Sequence, residues 1–186
     1  SSWRNWAHDK ERENLISKAE QLLLQAKEST SLEQDYPEFT AAVKELRQQW
    51  KKMRSHTPEE LWLQFNNTCN LVYEQCIPFI DKQTELRQNN LKTKQALCQQ
   101  LEDYIATMHW PSAKGDAINH KQDWIQVDKI ARQARKEWSA IGFVERKDHK
   151  AINKRFDKAV ETIRHELKKV WQHNQEQFYN LINQAE

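Results

Sequence analysis

The longest regular pattern of apolar positions in the chain runs from Thr57 to Met108. Steps of three and four residues place these positions on one stripe of a helix. They are Leu61, Phe65, Thr68, Val72, Cys76, Phe79, Leu86, Leu97, Leu101, Tyr104 and Met108. A helix of that length spans roughly 75 Å, which is far more than a compact domain of this size needs. The pattern therefore predicts a long connecting helix and an elongated molecule.

Local signals define the start of this helix and an interruption within it. Thr57 and Glu60 have the spacing of a capping box, with Pro58 in the first helical position. Pro78 removes one backbone hydrogen bond and clashes with the preceding turn, at a cost of about 3 kcal/mol in a helix interior. We therefore expect a kink or short break between residues 75 and 79.

Shorter amphipathic patterns predict four more helices. The first covers about residues 8–27, and the second begins with Pro37 in its first turn, where proline is tolerated, and ends near Trp50. Another covers residues 124–138, and the last begins after Val144.

Three features lie between or before these helices. Residues 112–120 have the composition of a surface loop, and Gly142 suits the left-handed residue that stops a helix. Trp3 and Trp6 belong either to a frayed terminus or to the end of a preceding helix.

The composition supports an all-α fold with a thin core. Hydrophobic residues make up 38% of the 186 residues, against roughly 45–50% in an ordinary globular protein. Only 2 Gly and 4 Pro are present, while strong helix formers dominate. Large aromatic rings suit narrow bundles because they bury much area per residue. The predicted core aromatics are Trp50, Trp62, Phe65, Trp138 and Phe156.

The two halves of the chain resemble each other when Trp50 is aligned with Trp138. Residues 43–50 then pair with residues 131–138, and Phe65 pairs with Phe156. The chain is therefore predicted to hold two tandem antiparallel three-helix bundles that share the long helix, in a spectrin-like layout. The expected division is 1–79, 80–170, and a helical overhang at 171–186 toward a possible next repeat.

These motifs resemble the bacterial domain of unknown function family 349. The first half carries Trp50 and the helix opening Leu61-Trp62-x-x-Phe65; the second carries Trp138, Ile141-Gly142, Val144, Arg146, Phe156 and Ala159. Two positions depart from the pattern: Lys52-Met53-Arg54 replaces the glycine turn, and Ile152-Asn153 replaces Leu-Trp. The resemblance covers most of residues 10–170. It implies a tandem helical repeat in a bacterial cytoplasmic protein and carries over no catalytic residue.

No pattern in the chain indicates catalysis, a metal or a cofactor. His165-Glu166 lacks the second histidine of a zinc helix, because Lys169 stands there. Cys69, Cys76 and Cys98 lie at core spacing without metal-ligand spacing, which predicts buried thiols in a reducing compartment. A phosphate loop and a nucleophile turn are both missing. We therefore expect a protein that is not an enzyme and takes no small-molecule substrate.

Two further features concern location. No apolar run approaches the ~20 residues that cross a bilayer, so we expect a cytoplasmic protein that does not contact a membrane. The chain opens at Ser1 without an initiating Met, so we expect a longer parent protein.

Charge is concentrated in one segment of the chain. Residues 121–169 hold 14 Lys or Arg and 8 Asp or Glu, whereas the whole chain has a net charge of only +2. Two rows of cations have helical spacing there: Lys129, Arg132 and Lys136 in one, and Lys147, Lys150, Lys154 and Lys158 in the other. If the rows face the same side, they form a groove for nucleic-acid phosphates. The alternative is an ordinary solvated face neutralised by Asp128, Asp148 and Asp157.

The favoured function is that of a non-enzymatic interaction or scaffold module with an unidentified protein partner. Its candidate contact residues are Trp171, Phe178, Leu181 and Ile182 on the overhanging stripe, and Trp110 beside the loop. Nucleic-acid binding through the basic rows is the alternative, which the low net charge disfavours.

The long helix leads to a prediction about shape. Small-angle scattering should give a radius of gyration well above the ~16 Å of a compact globule of this length. A compact value would rule out the shared-helix layout.

Overall fold

The computed structural model describes residues 2–53, 56–108, 110 and 121–185, except for the side chains of residues 121–123, 177 and 178. The described residues form helices and no strand. The prediction of an all-α fold is confirmed. The elements are α1 (Ser2–Glu28), α2 (Leu32–Lys52), α3 (Glu59–Thr107), α4 (Lys121–Ala140) and α5 (Arg146–Ala185).

The chain divides into two compact units, Ser1–Gln83 and Thr84–Glu186. In the first unit, α1, α2 and the first part of α3 surround one core. Its buried residues are Leu15, Ile16, Ala19, Val43, Leu46, Trp50, Met53, Phe65, Cys69 and Val72. In the second unit, the rest of α3 packs with α4 and α5. Its buried residues are Leu97, Cys98, Leu101, Val127, Ala134, Val144, Ile152, Phe156, Ala159, Val160 and Ile163. The elongation and the spectrin-like layout stay predictions.

Each unit contains a stacked pair of aromatic rings. The rings of Trp50 and Phe65 lie 4.2 Å apart with 10° between their planes, and those of Trp138 and Phe156 lie 4.0 Å apart at 12°. These are the residues that the internal alignment pairs across the two halves. The two units therefore use the same aromatic contact between their second and third helical segments.

In each unit, a cation from the first helical segment lies over the Trp ring of that unit's stacked pair. The guanidinium carbon of Arg12 is 5.8 Å from the Trp50 centroid, and Nζ of Lys94 is 4.6 Å from the Trp138 centroid. Both cations are buried. A buried charge is costly unless it is compensated. Arg12 donates to Asp9 Oδ1 at 2.8 Å and to the His56 carbonyl at 3.1 Å, which together with the ring supplies that compensation.

The expected break at Pro78 is wrong, because α3 is continuous from Glu59 to Thr107. Neighbouring residues hold the helix on its core side. The ring of Phe79 stacks on Tyr36 with centroids 6.3 Å apart, and Cys76 Sγ lies 4.0 Å from the Tyr36 carbonyl oxygen. A single lost hydrogen bond is offset when packing on both sides of the proline keeps the chain helical.

The starts of the first three helices also differ from the prediction. The first helix begins at Ser2, so Trp3 and Trp6 are helical and exposed. Helix α2 begins at Leu32, which places Pro37 inside it rather than in its first turn. Helix α3 begins at Glu59, one residue after the predicted position, and its first carbonyl acceptor is Pro58, which takes the Trp62 N–H at 3.1 Å.

The Ser31 carbonyl explains the early start of α2. It accepts the N–H groups of Gln34 and Asp35 at 2.9 and 3.0 Å, and the Ser31 hydroxyl also bonds to the Asp35 carboxylate. A carbonyl that accepts two first-turn N–H groups begins the helix before the proline is reached.

Gly142 does not have the left-handed conformation that the sequence predicts. Its φ lies outside that region, and its close neighbour is the side chain of Asn90. A Cβ at this position would lie 2.7 Å from Nδ2 of Asn90, which donates a 2.8 Å hydrogen bond to the Phe143 carbonyl. The loop predicted at residues 112–120 lies outside the described residues.

Trp62 is a correction to the predicted core. Its side chain is 40% exposed, with its ring 5.9 Å from Trp50 and 6.3 Å from Phe65. Phe65 takes the stacking position on Trp50, and Trp62, three residues earlier on the same helix, is left at the edge of that stack.

The two stacks predict different costs for removing their tryptophans. Trp138→Ala should lower the free energy of unfolding by about 3 kcal/mol, and Trp50→Ala by about 4–5 kcal/mol, because Trp50 is buried and Trp138 is half-buried. Urea unfolding followed by circular dichroism measures both values.

Trp138→Phe is the matched control, because a smaller ring keeps a stack on Phe156 and should cost less than Trp138→Ala. A cost below ~1 kcal/mol for Trp138→Ala would show that the ring adds little to the core.

Candidate interaction surfaces

The last part of α5 carries an exposed apolar stripe, here called the α5 stripe and made of Trp171, Leu181 and Ile182. Their side chains are 61%, 65% and 44% exposed, whereas Val170 immediately before them is buried. Ile182 follows Trp171 by eleven residues, which is close to three full turns, and Leu181 lies within about a quarter turn of Trp171, so the three share one broad side of the helix. The predicted fourth member, Phe178, lies in α5, but its side chain is outside the described set. The α5 stripe is therefore a real exposed surface of the second unit.

Trp110 is less available than the sequence suggests. Its ring stacks on Trp124 with centroids 6.1 Å apart and 26° between their planes, and both rings pack against the core of the second unit. The structure thus places Trp110 at the edge of the core of the second unit.

The seven predicted phosphate-binding residues are all exposed, and five of them line two separate depressions. Lys129, Arg132 and Lys136 line a depression of about 430 Å³ on α4. Lys154 and Lys158 border another of about 540 Å³ between α5 and the end of α3, and Lys147 and Lys150 continue their row toward the start of α5.

The two rows point in different directions because of helical geometry. At 100° per residue, each row lies roughly opposite the core stripe of its own helix, around Ala134 in α4 and Phe156 in α5. In a bundle, faces that point away from one shared core diverge. The idea that both rows form one groove is therefore not supported, and Arg132 is paired with Asp128 at 2.8 Å.

An ion pair joins α5 to α3 beside the larger depression. Arg155 Nε donates to Glu102 Oε1 at 2.7 Å, and its Nη2 donates to Glu102 Oε2 at 2.8 Å and to Gln99 Oε1 at 2.9 Å. These hydrogen bonds from Arg155 lower the pKa of the Glu102 carboxyl, against a smaller opposing effect of burial. The sequence did not single out this pair.

The three cysteines are buried and unbonded to one another, as the pattern predicts. Burial raises the pKa of the Cys69, Cys76 and Cys98 thiols, so the reactive thiolate is disfavoured. In the described part of the chain, no group of three His, Cys, Asp or Glu side chains has the arrangement of a metal site.

Phe143 is the most exposed large apolar side chain among the described residues, at 84%, and sequence reasoning missed it. It lies between Gly142 and the buried Val144 in the turn from α4 to α5. The signal that could have identified Phe143 is an aromatic residue in the turn between two helices, where helical periodicity does not require an apolar side chain.

Comparison with known proteins agrees with the motif resemblance. Residues 60–147 match the family described as Domain of Unknown Function (DUF349). This segment, which is just under half of the chain, is similar to that family. It runs from the first turn of α3 to the second residue of α5, so it includes both the Asn90 contact and the Gly142-Phe143 turn.

No curated protein and no solved structure matches the chain. Across the described residues, no helix joins the length and apolar character needed to cross a lipid bilayer.

The Arg155 pair predicts a dependence of stability on pH. The folded-state pKa of Glu102 is lowered from 4.5, so its contribution is present above that value and is lost as pH falls through the folded-state pKa. Glu102→Gln should therefore lower the unfolding free energy at neutral pH by about 0.5 kcal/mol, since the pair is partly exposed.

Thermal melts between about pH 7 and pH 3 measure this difference. Arg155→Gln and the double variant complete a cycle that isolates the pair. A Glu102→Gln effect of constant size across that range would contradict an electrostatic origin.

Proposed function

We propose that the chain is a non-enzymatic helical interaction module that binds a protein partner through the α5 stripe. The observation that carries this proposal is the change at Val170. Up to that residue the apolar side of α5 is buried in the core of the second unit, and from Trp171 onward it is exposed. A continuous apolar face that leaves the core is typical of a helix that docks against another helix.

The composition of the stripe suits a binding surface. Trp is enriched among the residues that dominate interface energies, and Leu and Ile supply further apolar area. Full burial of such side chains contributes about 1.5–3 kcal/mol each. Lys168 provides an exposed polar margin beside Trp171.

The rest of the described surface gives less support to other functions. In the larger depression, the carboxylate of Glu102 is held in an ion pair by Arg155, and an ion-paired carboxylate is a poor general base. Nucleic-acid binding by a groove between both basic rows is disfavoured by their separate positions.

Site-specific photocrosslinking in the cells that natively produce the protein tests the proposal. A photoreactive residue in place of Trp171 should give one discrete crosslinked protein, and Leu181→Glu should remove it, because a charge cannot be buried in an apolar contact. Light scattering of the purified chain at the same time shows whether the captured partner is a second copy.

The matched control places the same photoreactive residue at Glu176, which is exposed and lies on another side of the same helix. Equal crosslinking from both positions, or no product from position 171, would contradict a specific α5-stripe contact.

A further inference from the structure

We propose that the turn from α4 to α5 and the lysine row after it bind single-stranded nucleic acid, with one base stacked on Phe143. This surface is distinct from the α5 stripe, and the proposal is independent of the proposed protein partner. Its starting point is the contrast between two neighbours: Val144 is buried in the core, while the Phe143 ring is almost fully exposed.

The backbone that carries Phe143 is held on both sides. The side chain of Asn90 donates to the Phe143 carbonyl at 2.8 Å, and a Cβ at Gly142 would displace the amide that makes this bond. On the α4 side, the Ile141 N–H bonds to two carbonyls of the last helical turn at 3.2 Å. These hydrogen bonds restrain the backbone of the turn, which reduces the backbone freedom lost when the ring binds.

A row of lysines begins four residues after Phe143 in the chain. Lys147, Lys150, Lys154 and Lys158 are exposed on one stripe of α5, over roughly 17 Å of helix. Residues 146–158 contain six cationic side chains and two acidic ones. Within the described part of the chain, Lys147 and Lys150 have no carboxylate at ion-pair distance. Such a row supplies the phosphate attraction that holds a nucleic-acid backbone.

The ring and the row are close enough to act on one strand. Lys147 follows Phe143 by four residues, so their Cα atoms are at most ~14 Å apart. An exposed aromatic ring beside a cationic track is the combination that proteins use for single strands, because every base has a face that can stack. A duplex hides those faces, and an acidic peptide offers none, so these observations favour a single strand over either.

Fluorescence anisotropy with the full chain and a labelled oligo-dT of about twelve nucleotides tests the proposal. Binding should weaken as salt rises, because each neutralised phosphate releases counterions. Phe143→Ala should weaken it roughly fivefold to hundredfold at fixed salt, which is the range for losing one stacked base. Phe143→Trp should keep the affinity, and its fluorescence should be quenched when the strand binds.

Two charge variants distinguish binding by the α5 lysine row from nonspecific electrostatic attraction to the protein. Lys147→Glu with Lys150→Glu should weaken binding and reduce the salt slope, whereas Lys129→Glu on α4 should change affinity by less than about threefold. Circular dichroism melts verify that each variant folds; all four positions are exposed.

Three results would overturn the proposal. They are the absence of binding at low salt, equal affinity for Phe143→Ala and the unchanged chain, and tighter binding of a duplex of the same length. A fourth result, competition by polyglutamate that matches oligo-dT at equal charge, would assign the surface to acidic protein and would also reject the stacking role.

Discussion

Both units depend on a tryptophan ring held between three helical segments. In each, a Phe from the third segment stacks on the ring, and a buried cation from the first lies over it. A narrow bundle has few interior positions, so one large flat ring must contact all three segments at once. The cation suits this place because its methylene stem is apolar and its charge is attracted to the ring. Arg12 and Lys94 show that either cation meets the requirement.

The spacing after each Phe is also shared. Phe65, Cys69, Val72 and Cys76 in α3 have the same steps as Phe156, Val160, Ile163 and Leu167 in α5, and seven of these eight residues are buried. Beyond Cys76, α3 continues to residues that form part of the second core. Beyond Leu167, α5 continues to Val170 and then to the exposed α5 stripe. The same spacing of apolar residues after Phe thus leads into a second core in α3 and into an exposed apolar face in α5.

Periodicity was enough to predict the helical class, the buried thiols and the Trp–Phe pairs, because these follow from which residues share a stripe. It failed where tertiary contacts determine the local conformation or the burial of a residue. Pro78 is a local signal for a break, yet packing of Phe79 on Tyr36 keeps α3 helical. Gly142 lies against the side chain of Asn90, which is 52 positions earlier in the chain. Charged residues are usually exposed and large apolar residues are usually buried, but Arg12 is buried and Phe143 is exposed. Their positions could therefore not be predicted from polarity alone.

The two proposed surfaces occupy different faces and ends of α5. The lysine row lies opposite the core stripe near the start of the helix, while the α5 stripe continues the core side near its end. From Lys147 to Ile182 the helix rises roughly 50 Å, several Debye lengths at physiological salt. A charge change at Lys147 therefore has little electrostatic effect at Trp171, and a substitution at Leu181 leaves the turn at Phe143 intact. Loss of one binding activity without the other is consequently the expected behaviour, and any coupling between them requires a change in the packing of the core between the two surfaces.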